Sequence, residues 1–185
     1  MKRDKDLFRN PQETADFFFN RYKQLSSVHI YIFVYNDNMQ TFLPYSDFVE
    51  TAKTLDRQRL GKQRVEAYQL LRSLTEPEYG WKNHPASKMW SGHELLLAEY
   101  GIDMCMEWRR RGYKDTLLEK FEHYVLLFSD QGFRKNNSPW WLGDNEFHSS
   151  HRSNLLRKKP EWYNQFHWTE PTTLPYVWPT HASKA

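Results

Sequence analysis

The residues of this chain best placed to do chemistry lie in 55–66, Leu-Asp-Arg-Gln-Arg-Leu-Gly-Lys-Gln-Arg-Val-Glu, a basic stretch closed by one acid. At 3.6 residues per turn, Arg59, Lys62 and Glu66 fall within a narrow band on one helix face. Leu60, Ala67, Leu71 and Leu74 form an apolar stripe to one side of it, so packing is expected to leave the polar band open. Cations beside a carboxylate hold it ionised, which is the expectation for Glu66. Cations on an exposed helix face also suit a phosphate backbone. A plainer reading is a Lys62–Glu66 pair on a solvated helix, worth a few tenths of a kcal/mol.

Two further basic clusters accompany this one. Arg109, Arg110 and Arg111 are consecutive, and Arg152, Arg157, Lys158 and Lys159 lie close together. The three clusters are candidates to converge on one surface; each is equally readable as a solvated helix end, where cations are favoured. The net charge of +3 permits a nucleic-acid partner without requiring one. Cys105 is the single cysteine, which excludes an internal disulfide and a cysteine-built zinc site and points to a reducing compartment. The longest apolar run, 28–35, is too short to cross a bilayer and has no signal-peptide context. The high aromatic content suits base stacking, but it equally suits a Trp-rich core.

The length allows one ordinary domain. Residues 1–38 read differently from the rest: a broken, charged start, the strand-like run 28–35, then Asn36-Asp-Asn38 before Met39. They read as an appendage, an upstream start in the gene model, or an edge strand docked on the domain. From Thr41 onward the pattern is helical. Helices are expected over 46–54, from an Asp56 cap to about Ser73, and from Pro85 to a stop at Gly112. A further helix is expected to start at Asp115 or Thr116, with a Thr116–Glu119 capping box, and to end at Gly132. The last spans 149–158 before Pro160. The expected class is an all-α domain over 39–185.

The ordered set of motifs resembles the phage and bacterial pyrimidine dimer DNA glycosylases, the endonuclease V type that repairs ultraviolet damage. The likeness covers about Thr41 to Phe166. A Leu-x-x-Gln-x-Leu-x5-Glu context reads here as Leu55, Gln58, Leu60 and Glu66. Residues 106–113, Met-Glu-Trp-Arg-Arg-Arg-Gly-Tyr, are similar to the family's basic helix end. Gly143-Asp144 with His148, and Lys159-Pro-Glu-Trp-Tyr163, match two later stretches. The branch beginning near Met-Gln-Thr-Phe-Leu-Pro-Tyr, residues 39–45 here, is the nearer one.

The resemblance implies an all-α glycosylase and abasic-site lyase that needs no metal or other cofactor. It acts on damaged double-stranded DNA as a monomer in the cytoplasm of a bacterial or phage-infected cell. In that family an N-terminal α-amine attacks the sugar, and a glutamate, here Glu66, stabilises the cationic sugar and moves protons. Gln58, Arg59, Lys62, Arg64, His148, Arg152 and Lys158 are the implied DNA contacts. Trp162 and Tyr163 either pack beside the damaged bases or clamp the core. The implied amine belongs to Met39 in a chain starting there, because Gln40 does not permit Met removal; Thr41 is then offset from the family's terminal Thr. In the chain as written this region is internal, and Val65 stands where the family has an arginine. His148 and His151 are spaced for a metal but lack nearby acids or cysteines, so phosphate contact or core hydrogen bonding is preferred. Two other classes stand beside the enzyme: a DNA-binding module without the amine, and a helical interaction protein with no nucleic-acid role.

Overall fold

The computed structural model describes residues 39–130 and 138–179. The appendage 1–38 with its run 28–35, and the expected helix stop at Gly132, lie outside the described residues. Among the described residues are seven α-helices, one 3-10 turn and no strand, so the all-α class holds. They are α1 (Phe48–Thr54), α2 (Arg57–Thr75), α3 (Pro85–Trp90), α4 (Glu94–Arg110), α5 (Leu118–Asp130), α6 (Asn145–Lys158) and α7 (Pro160–Tyr163). The 3-10 turn Asn164–Phe166 follows, and an extended tail runs on to Pro179.

Short polar side chains set most of the helix starts. Asp47 accepts the Glu50 N–H at 2.8 Å to begin α1, and Asp56 accepts those of Gln58 and Arg59 to begin α2. His84 Nδ1 caps α3 beside Pro85 at its first turn. Each such cap is worth about 1 kcal/mol. Asp144 caps α6 by accepting from Phe147 at 2.8 Å, so that helix begins at Asn145 rather than Ser149. Ahead of α5 the capping group is Asp115, whose Oδ2 takes the Leu117 and Leu118 N–H groups, in place of the expected Thr116 box.

The expected helix from Pro85 to Gly112 is broken in two. Gly92 sits at φ +82, in the left-handed region, and ends the first piece after Trp90. Glu94 then turns back to accept the Gly92 N–H at 2.9 Å, and α4 starts afresh. α4 is the central helix and packs on α1, α2 and α5. Where it meets α5, the Phe121 ring occupies the space a Cβ at Gly101 would need, so a glycine is required for that approach. Trp90 and Trp141 meet edge-on at 5.0 Å in the core, while Trp81 and Trp140 are exposed. No helix of the described residues is long and apolar enough to cross a membrane.

The element that matters most for function has no secondary structure. Residues 39–43 are all buried and run between α2, α4, α6 and the tail.

Candidate active site

Buried backbone must find hydrogen-bond partners, and here side chains supply them. Gln63 on α2 donates to the Gln40 carbonyl at 2.6 Å and accepts the Phe42 N–H at 2.8 Å. Tyr176 from the tail donates to the Thr41 carbonyl at 2.7 Å, and Trp90 donates to the Thr41 hydroxyl at 3.0 Å. The Tyr100 hydroxyl on α4 has one hydrogen, shared between Gln63 Oε1 at 2.6 Å and the Phe42 carbonyl at 3.0 Å. On α6, His151 Nδ1 accepts the Leu43 N–H at 2.9 Å, and Arg152 donates to the Pro44 carbonyl at 2.7 Å. His148 Nδ1 lies 2.7 Å from the Leu43 carbonyl; because that oxygen only accepts, this nitrogen carries the hydrogen. His148 Nε2 in turn accepts the Gly143 N–H at 2.9 Å. Both imidazoles are therefore neutral, and burial, the largest cause, pushes the basicity of each below the usual histidine range.

At the other end of the segment stands Glu66. Only 3% of it is exposed, against the expectation of an open polar band. The reason is the 39–43 segment, which lies on this side of α2 and covers it. Glu66 Oε2 accepts from Gln63 Nε2 at 2.7 Å. Glu66 Oε1 has no hydrogen bond; Lys62 Nζ faces it at 3.3 Å as an ion-pair neighbour. Burial pushes the carboxyl up to about 7, opposed by the Lys62 charge, the Gln40 backbone amide and Gln63. The expectation of a permanently ionised Glu66 is thus corrected: desolvation outweighs the adjacent cation. Lys62 keeps 54% of its side chain exposed, so the carboxylate lies one side chain beneath the surface.

An acid poised near neutrality, with one oxygen facing only a half-exposed lysine, can both take and return a proton at pH 7. The stretch that carries it has a counterpart among known proteins. A family model described as pyrimidine dimer DNA glycosylase matches residues 39–120. Over that stretch, less than half of the chain, the sequence is similar to the pyrimidine dimer DNA glycosylases. The match begins at Met39, the first residue of the buried segment, and includes Glu66 and all of α2 and α4. Neither the curated proteins nor the solved structures contain a significant match to the chain.

Among the described residues the remaining implied site residues separate into two groups. Gln58 and Lys62 are exposed along α2. Arg59 is mostly covered and donates to Asp56 at 2.9 Å. Lys158 is partly buried near the end of α6. The second group holds the fold together. Arg64 is buried on α2, paired with Asp115 and stacked 4.6 Å over the Trp108 ring. His148 is likewise a core hydrogen-bonding residue, the second of its two expected roles. Arg152 is engaged by Glu170, Ser149 and the Pro44 carbonyl. The tyrosine of the aromatic pair takes the clamp role: buried Tyr163 donates to Asp56 Oδ2 at 2.8 Å and stacks on Trp168. Trp162 donates to the Thr54 carbonyl at 2.9 Å and is partly exposed. Met39 and Thr41 are buried, and the Thr41 hydroxyl and carbonyl are both engaged. No group of three His, Cys, Asp or Glu with metal-binding geometry occurs among the described residues.

Sequence reasoning missed Gln63, Tyr100 and Tyr176. Gln63 stands three residues before Glu66 and so shares its helix face, the one local signal that pointed to it. The two tyrosines act through contacts distant in sequence and left no local pattern.

Proposed function

We propose that the protein is a DNA glycosylase that releases a damaged pyrimidine from duplex DNA, with Glu66 as its proton-handling carboxylate. One observation carries the reading: within the family-matched stretch, a buried glutamate poised near pH 7 lies by the Gln40 backbone, with one oxygen held by Gln63 and the other facing Lys62. As the N-glycosidic bond breaks, the sugar becomes cationic, and the ionised carboxylate stabilises it. The base leaves with the electrons of that bond; the same oxygen then accepts the proton of the water that attacks C1′ and passes it to the departing base anion. Gln58, Arg59 and Lys62 hold the phosphates flanking the damaged nucleotide, which is turned out of the duplex to reach a carboxylate beneath the surface.

Strand cleavage depends on the nitrogen of Met39. In the 185-residue chain this nitrogen is an amide, with no basic lone pair to attack C1′. A form beginning at Met39 would present an α-amine, with pKa near 8, at the same place. That amine would displace the base, form an imine with the opened sugar and allow β-elimination of the 3′ phosphate. The 185-residue chain is thus a glycosylase, and the lyase step belongs to the shorter form.

The test is Glu66→Gln on ultraviolet-irradiated duplex DNA. Base release should fall by about two orders of magnitude or more while DNA affinity is kept, because the variant loses a negative charge and no phosphate contact. Steeply salt-dependent binding without base release from the parent would instead identify a DNA-binding module.

A further inference from the structure

We propose that Gln63 is the positioning residue of this site, tying Glu66 Oε2 so that Oε1 is the one oxygen that takes and gives the proton. The inference rests on Glu66 being the proton-handling group. A primary amide offers two hydrogens and two acceptor positions. In Gln63, which is fully buried, all four are engaged. Nε2 donates to the Gln40 carbonyl at 2.6 Å and to Glu66 Oε2 at 2.7 Å. Oε1 accepts from the Phe42 N–H at 2.8 Å and from the Tyr100 hydroxyl at 2.6 Å.

The partners fix which way the amide faces. The Gln40 carbonyl can only accept and the Phe42 N–H can only donate, so rotating the amide by half a turn would set acceptor against acceptor and donor against donor. One side chain therefore registers two things together: the buried 40–42 backbone and the orientation of the carboxylate. With Oε2 held by a donor, an arriving proton goes to Oε1, the atom with no hydrogen bond that faces half-exposed Lys62. Without Gln63 the carboxylate would be free to rotate, and either oxygen would serve.

The other groups that feel Glu66 are Lys62 on its own helix, the Gln40 amide, Tyr100 from α4 and Tyr176 from the tail. The two phenols are held far above their ordinary range by burial, so neither titrates near neutrality. A change in the Glu66 midpoint after altering Gln63 therefore reports on the amide itself.

The experiment uses the full chain, the Gln63→Met variant and carboxyl-carbon NMR of labelled glutamate, with the Glu66 resonance assigned by Glu66→Gln. Methionine keeps length and volume and removes every hydrogen bond. The proposal predicts that the Glu66 midpoint rises by about one pH unit or more, since a lost hydrogen bond to the ionised form favours protonation. The pH profile of base release should move with it. An unchanged or lowered midpoint overturns the proposal. If Gln63→Met fails to fold, Tyr100→Phe decides: loosening the amide should raise the midpoint by a smaller amount, and no rise overturns the proposal. The titration does not depend on turnover. A raised midpoint in a protein that releases no base would uphold Gln63 and remove the glycosylase reading.

Discussion

The two ends of the 39–44 segment meet their surroundings in opposite ways. At the α6 end, two neutral histidines and Arg152 answer the backbone of Leu43 and Pro44, and each contact lowers the energy of the folded chain. At the α2 end, a carboxylate is buried with one oxygen lacking a hydrogen bond, an arrangement that opposes folding whenever it is ionised. His151 Nε2 is also without a partner, but an unpaired neutral N–H costs far less than an unpaired buried charge. The fold satisfies one end and leaves the strain at the other, the end at which we propose the chemistry is done.

The contrast predicts opposite responses to pH. The folded-state value for Glu66, about 7, lies above its ordinary value of 4.5, so the folded protein holds the extra proton. Its penalty is absent below pH 4.5, grows as pH rises and is complete above about 7. Glu66→Gln should therefore raise stability at pH 8 by up to about 3 kcal/mol, from 1.36 kcal/mol per unit, and change it little at pH 4.5. Urea denaturation at both pH values measures this, and a variant destabilised at pH 8 would break the comparison.

The histidines act the other way and more weakly. Their folded-state values lie below 6.5, so their contribution is complete above that pH and is lost as pH falls toward the folded values. His151→Gln, which keeps an acceptor for the Leu43 N–H, should cost about 1–2 kcal/mol at pH 8 and flatten the loss of stability below pH 6.5. Thermal melts across pH 4.5–8 check it; an acid limb as steep as the parent's would show that the histidine pair does not set it.

Helix α2 was legible because its signals are local: an Asp56 cap, an apolar stripe and a basic run within one stretch. Glu66 stood out for the same reason, as the one acid there that caps no helix. The break at Gly92 was hidden, since a single glycine in a periodic run reads as tolerated, and only the Glu94 return contact shows otherwise. The burial of Gln40 and Thr41 could not be read at all. Polar residues are expected outside, and the partners that permit their burial come as far as from Tyr176, 135 positions away. Arg64 and Arg152 show how little a basic cluster says about the partners its cations find. A cation in a basic cluster looks like a phosphate contact until its own carboxylate, Asp115 or Glu170, is seen beside it.

We place the proposed chemistry where the Gln40 backbone meets Glu66, one residue from Met39. Borohydride trapping on abasic duplex DNA tests it most directly, comparing the full chain with a form starting at Met39, each with and without Glu66→Gln. The account predicts a covalent protein–DNA complex from the Met39 form alone, greatly weakened by the substitution. Equal trapping by the full chain would place the nucleophile elsewhere, on a lysine such as Lys62, and would contradict the account.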